Sequence, residues 1–293
     1  MPPDDELTFL RWLQETDLHH RGVTVPLGDD AAVVEWAGAE VVVAADAIAE
    51  GTHFLSGDEP HLVGRKALAV NLSDLAAMGA EPVFAVATAS LPRGFNLSQA
   101  QAMTEGMRQL GREHGCPIVG GDTVTHDGGV VLSVTAIGRL MGAAPVRRTG
   151  AEPGYVVMVT GAIGGSRKGT HLSFEPRLRE ARCLVDATSR LSMIDVSDGL
   201  LLDLTRITPG FGFRLHAERI PLSENADDLH AALSEGEDFE LLMAMHPDDA
   251  PRVLAEWSLD TPLSEIGEVT ESGHVLIEGG VERPVAPRGF RHG

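Results

Sequence analysis

"KALAVNLSDLAAMGAEPVFAVATASL", residues 66–91, sets a helix directly before a strand, and its reading decides between a layered α/β chain and a bundle or a sandwich. The apolar periodicity predicts a helix over 62–78, with the strand "PVFAVATASL" behind it. At 3.6 residues per turn Val63, Ala67, Val70, Asn71, Asp74 and Met78 share one arc, and Leu68, Leu72 and Leu75 adjoin it. The helix is therefore apolar almost all round, and Asn71, Ser73 and Asp74 are misfits in its middle. An unpaired carboxylate in such a place costs several kcal/mol as an order of magnitude. Asp74 must be neutralised by a proton, a basic partner or a metal; a buried ion pair or a capping role are the plainer readings.

Strands and helices alternate on both sides of this unit. "EVVVAAD", 40–46, is a β-branched run that stops at an aspartate, and "LSQAQAMTEGMRQLGREHG" is a helix that Asn96 or Ser98 can cap and Gly115 can end. "CPIV" reads as a strand running into "GGDT", and "GVVLSVTAIGRL" as another. "MGAAPVRRTGAEPG", 141–154, is rich in Gly, Pro and Ala and marks a boundary, which predicts domains over 1–143 and 144–293. In the second half "YVVMVTG" is a strand, about 177–190 a helix, "MIDVSDGLLLDLTRI" a strand end turning into a helix, "FELLMAMH" a buried strand and "DDAPRVLAEW" a helix. The fold class is α/β (α+β) in two domains; strand order is not legible.

Composition narrows the partners. Lys and Arg number 23 against 43 Asp and Glu, a net charge of −20 that argues against nucleic acid or an anionic membrane. Only Cys116 and Cys183 occur, too few for a disulfide framework, so both are expected to be structural thiols in a reducing cytoplasm. No apolar run approaches the roughly 20 residues of a membrane span, and the acidic "MPPDDELTFLRWLQ" is unlike a signal peptide. His19, His20 and the C-terminal histidines read as solvated surface.

Aspartates recur at the ends of apolar strands: Asp29 and Asp30 in "GDDAAVV", Asp46 in "VVVAAD", Asp122 in "IVGGD", Asp195 and Asp198 in "MIDVSDG". Carboxylates drawn from several segments, with no Cys/His ligand spacing, suit a hard cation, Mg²⁺ before Ca²⁺ or Zn²⁺, and Mg²⁺ suggests a phosphorylated substrate. "GGDT", "VTGAIGGSRKG" and "SDG" each offer backbone N–H groups to an anion, although such glycines are most often simply turns. No P-loop, dinucleotide fingerprint, G-x-S-x-G elbow or H-E-x-x-H occurs. His53 in "EGTHFL" follows a strand-end aspartate and is a candidate to reach a ligand. Arg147 and Arg148 either clamp a phosphate or decorate the linker, and Glu235, Glu237 and Asp238 in "SEGEDFELL" form an acidic turn or a contact loop.

In order along the chain, "GDDAAV", "AD…EGTHF", "KALAVNLSDLAAMGAEP", "VGGDT", "RRTGAEPG", "VTG", "IDVSDGL", "GEDFELL" and "RGF" resemble the thiamine-monophosphate kinases, over about 27–290. That family shares an ATP-binding superfamily with aminoimidazole ribonucleotide synthetase and selenophosphate synthetase. The resemblance implies a subunit whose N-terminal sheet forms a barrel-like core in a homodimer, with ATP and several Mg²⁺ ions where the two domains meet. It implies Asp30, Asp46, Asp74, Asp122, Asp195 and Asp198 as metal ligands, Gly121, Arg148 and Ser197 as ATP contacts, and His53, Glu237 and Phe290 as contacts of thiamine monophosphate. Transfer of the γ-phosphoryl group to that monophosphate needs positioning and charge neutralisation rather than a protein nucleophile, with Arg148 and Asp198 at the reacting groups.

Departures stand beside the matches. Ala44-Ala45 replaces the family's hydroxyl pair, and "AIGGSRKGTHLSFEPR" is shorter than its counterpart, lacks an aspartate and brings Arg167-Lys168 to the gap. Glu235 stands where the family has a glycine. These keep two alternatives open: a paralogue using ATP and Mg²⁺ on another small phosphate or amine, and an inactive nucleotide-binding dimer.

Overall fold

The computed structural model describes residues 3–16 and 21–290; His19, His20 and His292 lie outside the described residues. A first half carries α1 (Pro3–Thr16), β1 (Val23–Val25), β2 (Ala32–Trp36), β3 (Ala39–Ala49), α2 (Pro60–Ala77), β4 (Ala80–Pro92), α3 (Leu97–Glu113), β5 (Ile118–His126) and β6 (Val131–Leu140). The second carries β7 (Val156–Thr160), α4 (Leu178–Ala187), β8 (Leu191–Asp195), α5 (Leu200–Ile207), β9 (Gly212–His216), α6 (Leu229–Ser234), β10 (Leu241–Met245), α7 (Ala250–Glu256), β11 (Leu263–Thr270), β12 (His274–Glu278) and β13 (Val281–Pro284).

Each half is built on one mixed sheet. The first has the order β1-β2-β3-β6-β4-β5 and the second β13-β12-β9-β11-β7-β10-β8. Among the strands of the described residues, β4–β5 and β9–β12 are the pairs that run parallel. β10 is buried at every position because both faces of the second sheet are covered, as the unbroken apolar run in "FELLMAMH" anticipates.

The α2 helix is apolar all round because it is surrounded. It packs on β3, β4 and β6 of the first sheet, on α3, and on α4 and β8 of the second half. Pro60 sits in its first turn, and Asn96 caps α3 by accepting the Ser98 N–H at 2.8 Å. Two glycines let α2 and α3 meet: a Cβ on Gly64 would lie 1.8 Å from the Met103 carbonyl oxygen, and one on Gly106 1.9 Å from that of His61. One core cluster therefore runs from the first sheet through α2 to β8 and β10, and a second lies under α5 and α6.

Two strand readings change. β3 does not stop at Asp46, because β6 pairs with it as far as Ala49. β5 does not end before "GGDT", because Gly120 to Asp122 sit inside it and pair with β4. Cys116 is buried as expected, whereas Cys183 is exposed on α4 and serves no core.

Candidate active site

The three misfits of α2 have separate partners. Asn71 Oδ1 accepts the Asp46 N–H at 3.1 Å and its Nδ2 donates to the Ala67 carbonyl, so Asn71 fixes β3 to α2. Ser73 Oγ donates to Asp195 Oδ2 at 2.6 Å, joining α2 to the end of β8. Asp74, half-buried, completes a triad: one carboxylate oxygen from each of Asp30, Asp74 and Asp195 lies within 4.8 Å of the others.

Charge is badly balanced there. Burial and then the repulsion of Asp46, Asp195 and Asp30 hold the Asp74 carboxyl well above its ordinary range. Asp195 is raised likewise by burial and Asp30, with the Ser73 hydrogen bond offsetting only part. Asp30 is raised by burial although Arg148 Nη2 donates to its Oδ1 at 2.7 Å. For Arg148 burial opposes the charge, and Asp30, Asp195 and Asp29 outweigh it, keeping the guanidinium firmly protonated. The Arg148 N–H also donates to Asp29 Oδ1 at 3.1 Å, while Arg147 reaches Asp29 only at 3.5 Å. Buried Asp30 Oδ2 accepts no hydrogen bond among the described residues. An oxygen-only donor set with an orphaned carboxylate oxygen fits a hard divalent cation.

Beside the triad opens a cavity of about 410 Å³ whose lining includes Asp46, His53, Ser197, Asp198, Glu237 and Phe290. "SEGEDFELL" packs on "VSD": the Glu237 N–H donates to the Ser197 carbonyl at 2.8 Å and the Phe239 N–H to that of Val196 at 2.9 Å. Glu237 and Phe239 have φ of +68° and +52°, a left-handed backbone that non-glycine residues avoid and that clusters at functional sites. The C-terminal "RGF" closes the same wall, with the Phe290 N–H donating to the Asp198 carbonyl at 2.8 Å. Lys66, fully buried in α2, donates to a Glu237 carboxylate oxygen and to the His53 carbonyl at 2.8 Å.

Against the thiamine-monophosphate kinases and their relatives the chain matches throughout. The model for the AIR synthase related protein N-terminal domain covers residues 28–140, and that for the C-terminal domain covers 128–279. The thiamine-monophosphate kinase of Rhodopirellula baltica is 36% identical, over 98% of this chain and 97% of that one. The Bacillus subtilis thiamine-monophosphate kinase is 31% identical, over 98% and 99%. The solved structure of AaThiL complexed with AMPPCP and TMP superposes with a TM-score of 0.82 at 26% identity, covering 98% of this chain and 96% of that one. The chain belongs to the thiamine-monophosphate kinase family.

Of the positions which the family resemblance selects, the fold gathers Asp30, Asp46, Asp74, Asp195 and Arg148 at the triad, and His53, Ser197, Asp198, Glu237 and Phe290 along the cavity. Gly121 and Asp122 are elsewhere. They sit on edge strand β5, three strand spacings from β3, roughly 14 Å at ~4.8 Å each. A Cβ on Gly121 would meet the Ala87 carbonyl oxygen at 1.7 Å, so strand approach alone requires that glycine.

The glycine turn of "VTGAIGGSRKG" is not an open anion cradle either. The Gly164 N–H donates to Asp238 Oδ1 at 2.9 Å and the Gly165 N–H to Glu235 Oε2 at 2.8 Å. Glu235, the departure from the family pattern, thus fills the cradle with the chain's own carboxylate. In "SDG" the Asp198 N–H goes to Asp203 Oδ2 at 3.0 Å, and Arg206 bridges Asp198 and Asp203 at 2.6 Å each. Sequence reasoning passed over Lys66, Asp203 and Arg206. A lysine inside an otherwise apolar helix was the available signal for Lys66; the other two read as an ordinary i, i+3 helix pair.

Proposed function

We propose that the chain is an ATP-dependent kinase that phosphorylates thiamine monophosphate to thiamine diphosphate. The observation that carries this is the Asp30–Asp74–Asp195 triad, unbalanced in charge, abutting a cavity lined by Glu237, Phe290 and His53. Family membership and the ATP analogue and TMP held by AaThiL support the substrates. The residues that would hold Mg²⁺ are Asp30, Asp74 and Asp195, with Asp46 and Asp198 alongside. Bound there, the cation would neutralise phosphate charge and orient the triphosphate.

The chain's own groups do the rest. Arg148, held by Asp29 and Asp30, presents a permanent positive charge beside the triad for the transferring phosphoryl group. An acceptor phosphate oxygen attacks Pγ, the bond from Pγ to the β,γ-bridging oxygen breaks, and ADP leaves with that electron pair. The acceptor oxygen is already ionised at neutral pH, so no protein base is required. His53, Glu237 and Phe290 would position the acceptor, and Ser197 the nucleotide.

Gly121 and Asp122 enter the nucleotide site, in this reading, through a homodimer. The first sheet leaves Val83, Val86, Val119 and Val124 exposed, an apolar face suited to a second copy. In the same reading the two domains divide at 143/144. Among the described residues no helix is long and apolar enough to cross a membrane.

The test is product analysis with purified chain, ATP, Mg²⁺ and thiamine monophosphate, with thiamine and aminoimidazole ribonucleotide as competing acceptors. Thiamine diphosphate and ADP should appear in equal amounts. ADP release with another acceptor and none with thiamine monophosphate would instead make the chain a paralogue.

A further inference from the structure

The shortened segment after Gly161 carries a residue that the kinase chemistry does not use. Arg167 Nε donates to Glu237 Oε2 at 3.0 Å, and its Nη2 donates to the Thr52 carbonyl at 2.8 Å. Its guanidinium carbon stands 5.5 Å from the centre of the Phe290 ring, within cation–π range. One side chain therefore ties the glycine turn, the segment after β3 and the C-terminal segment beyond β13 across two residues that line the cavity.

Glu237 has two carboxylate oxygens, and the chain's own cations hold both. Lys66 holds Oε1 from a fully buried position and cannot leave without stranding an ammonium in the core. Arg167 holds Oε2 with its side chain 54% exposed, so it can rotate into solvent. The turn beneath it is fixed: Gly164 and Gly165 are bonded to Asp238 and Glu235, and Ser166 Oγ donates to the Gly236 carbonyl at 3.0 Å. Release is thus a rotamer change rather than a loop opening.

A carboxylate beside an aromatic face is what recognises an organic cation such as a thiazolium ring. We propose that Arg167 is a specificity-determining residue of the acceptor pocket: its guanidinium occupies the cation-binding faces of Glu237 and Phe290, and a cationic acceptor has to displace it. This rests on the kinase reading and deepens it. The displacement weakens binding of acceptors that are cationic at this end, whereas an acceptor neutral there binds with Arg167 in place.

The test compares wild type, R167Q and R167K as full chains. It uses steady-state kinetics with thiamine monophosphate, ATP and Mg²⁺, and calorimetric binding of thiamine monophosphate and of methylguanidinium. For R167Q, KM and Kd for thiamine monophosphate should fall about fivefold to tenfold. Methylguanidinium should bind R167Q in competition with thiamine monophosphate and should not bind wild type at that site, with R167K in between. An unchanged or weaker Kd in R167Q, or equal methylguanidinium binding by both chains, overturns the proposal. If R167Q binds more tightly but neither chain transfers phosphoryl, the kinase reading fails and the occupancy by Arg167 stands. If wild type turns over and R167Q binds no better, the reverse holds. Should wild type bind no thiamine monophosphate at all, methylguanidinium binding alone decides the occupancy.

Discussion

The carboxylates around Asp74 and the carboxylate of Glu237 are both withdrawn from water, yet they are neutralised in opposite ways. Asp30, Asp74 and Asp195 share one arginine, Arg148, which hydrogen-bonds only Asp30 among them. Glu237 alone has two cations, Lys66 and Arg167. The first cluster is short of positive charge and needs it from outside; the second is supplied from within and has none to gain. A buried carboxylate is therefore a poor guide to function until its counter-charges are counted. In the proposed function the deficit is the metal and phosphate end and the surplus the acceptor end.

The harshest way to break the contrast is at its deficit side. D74N should lower kcat for thiamine diphosphate formation by on the order of 10²–10³ while leaving the melting temperature equal to or above wild type, because it removes a repelled charge. A collapse of the fold with activity per folded molecule intact would mean that Asp74 is structural.

On the surplus side, K66M strands Glu237 with Arg167 alone and should cost about 3 kcal/mol in a denaturant titration. The double variant K66M/E237M should recover most of that stability while remaining poor in acceptor affinity. Recovery of acceptor affinity as well would remove Glu237 from the pocket's function.

Titration sharpens the same contrast. Asp74 and Asp195 are raised well above the ordinary 3.8, Asp203 is raised to about 7 and Asp238 to about 8, burial being the largest cause in each. A folded state that keeps protons which the unfolded chain releases loses stability as pH rises. In chelator the melting temperature should therefore fall as pH climbs from about 4 through about 8. Added Mg²⁺ should remove the part due to Asp74 and Asp195 and leave that of Asp203 and Asp238. A slope indifferent to Mg²⁺ would put the raised carboxyls outside any metal site.

The smallest effect belongs to Arg147, about half exposed and 3.5 Å from Asp29. R147A should change kcat/KM by no more than about twofold, since exposed pairs of this kind are worth roughly 0.5 kcal/mol. A loss rivalling that of R148A would show both arginines at the phosphate.

Local pattern made much of this legible. The apolar periodicity of α2, the buried run of β10 and the Asn96 cap read correctly because each depends on neighbours within a turn or a strand. Asp46 and Asp122 look like strand ends because the apolar run stops at them, yet the ladders with β6 and β4 carry on past both. Partners far along the chain stayed hidden. Ser73 finds Asp195 at a separation of 122 residues, and Lys66 finds Glu237 at 171. Glu235 accepts the Gly165 N–H from 70 residues away and so is itself the anion of that turn, a fact that only the folded turn reveals.

Whether the charge deficit is filled by a cation is tested most directly by calorimetric titration of Mg²⁺ into wild type and D74N, each with a non-hydrolysable ATP analogue. The account predicts saturable Mg²⁺ binding by wild type and a loss of at least about tenfold in affinity for D74N. Equal binding by the two chains would contradict it.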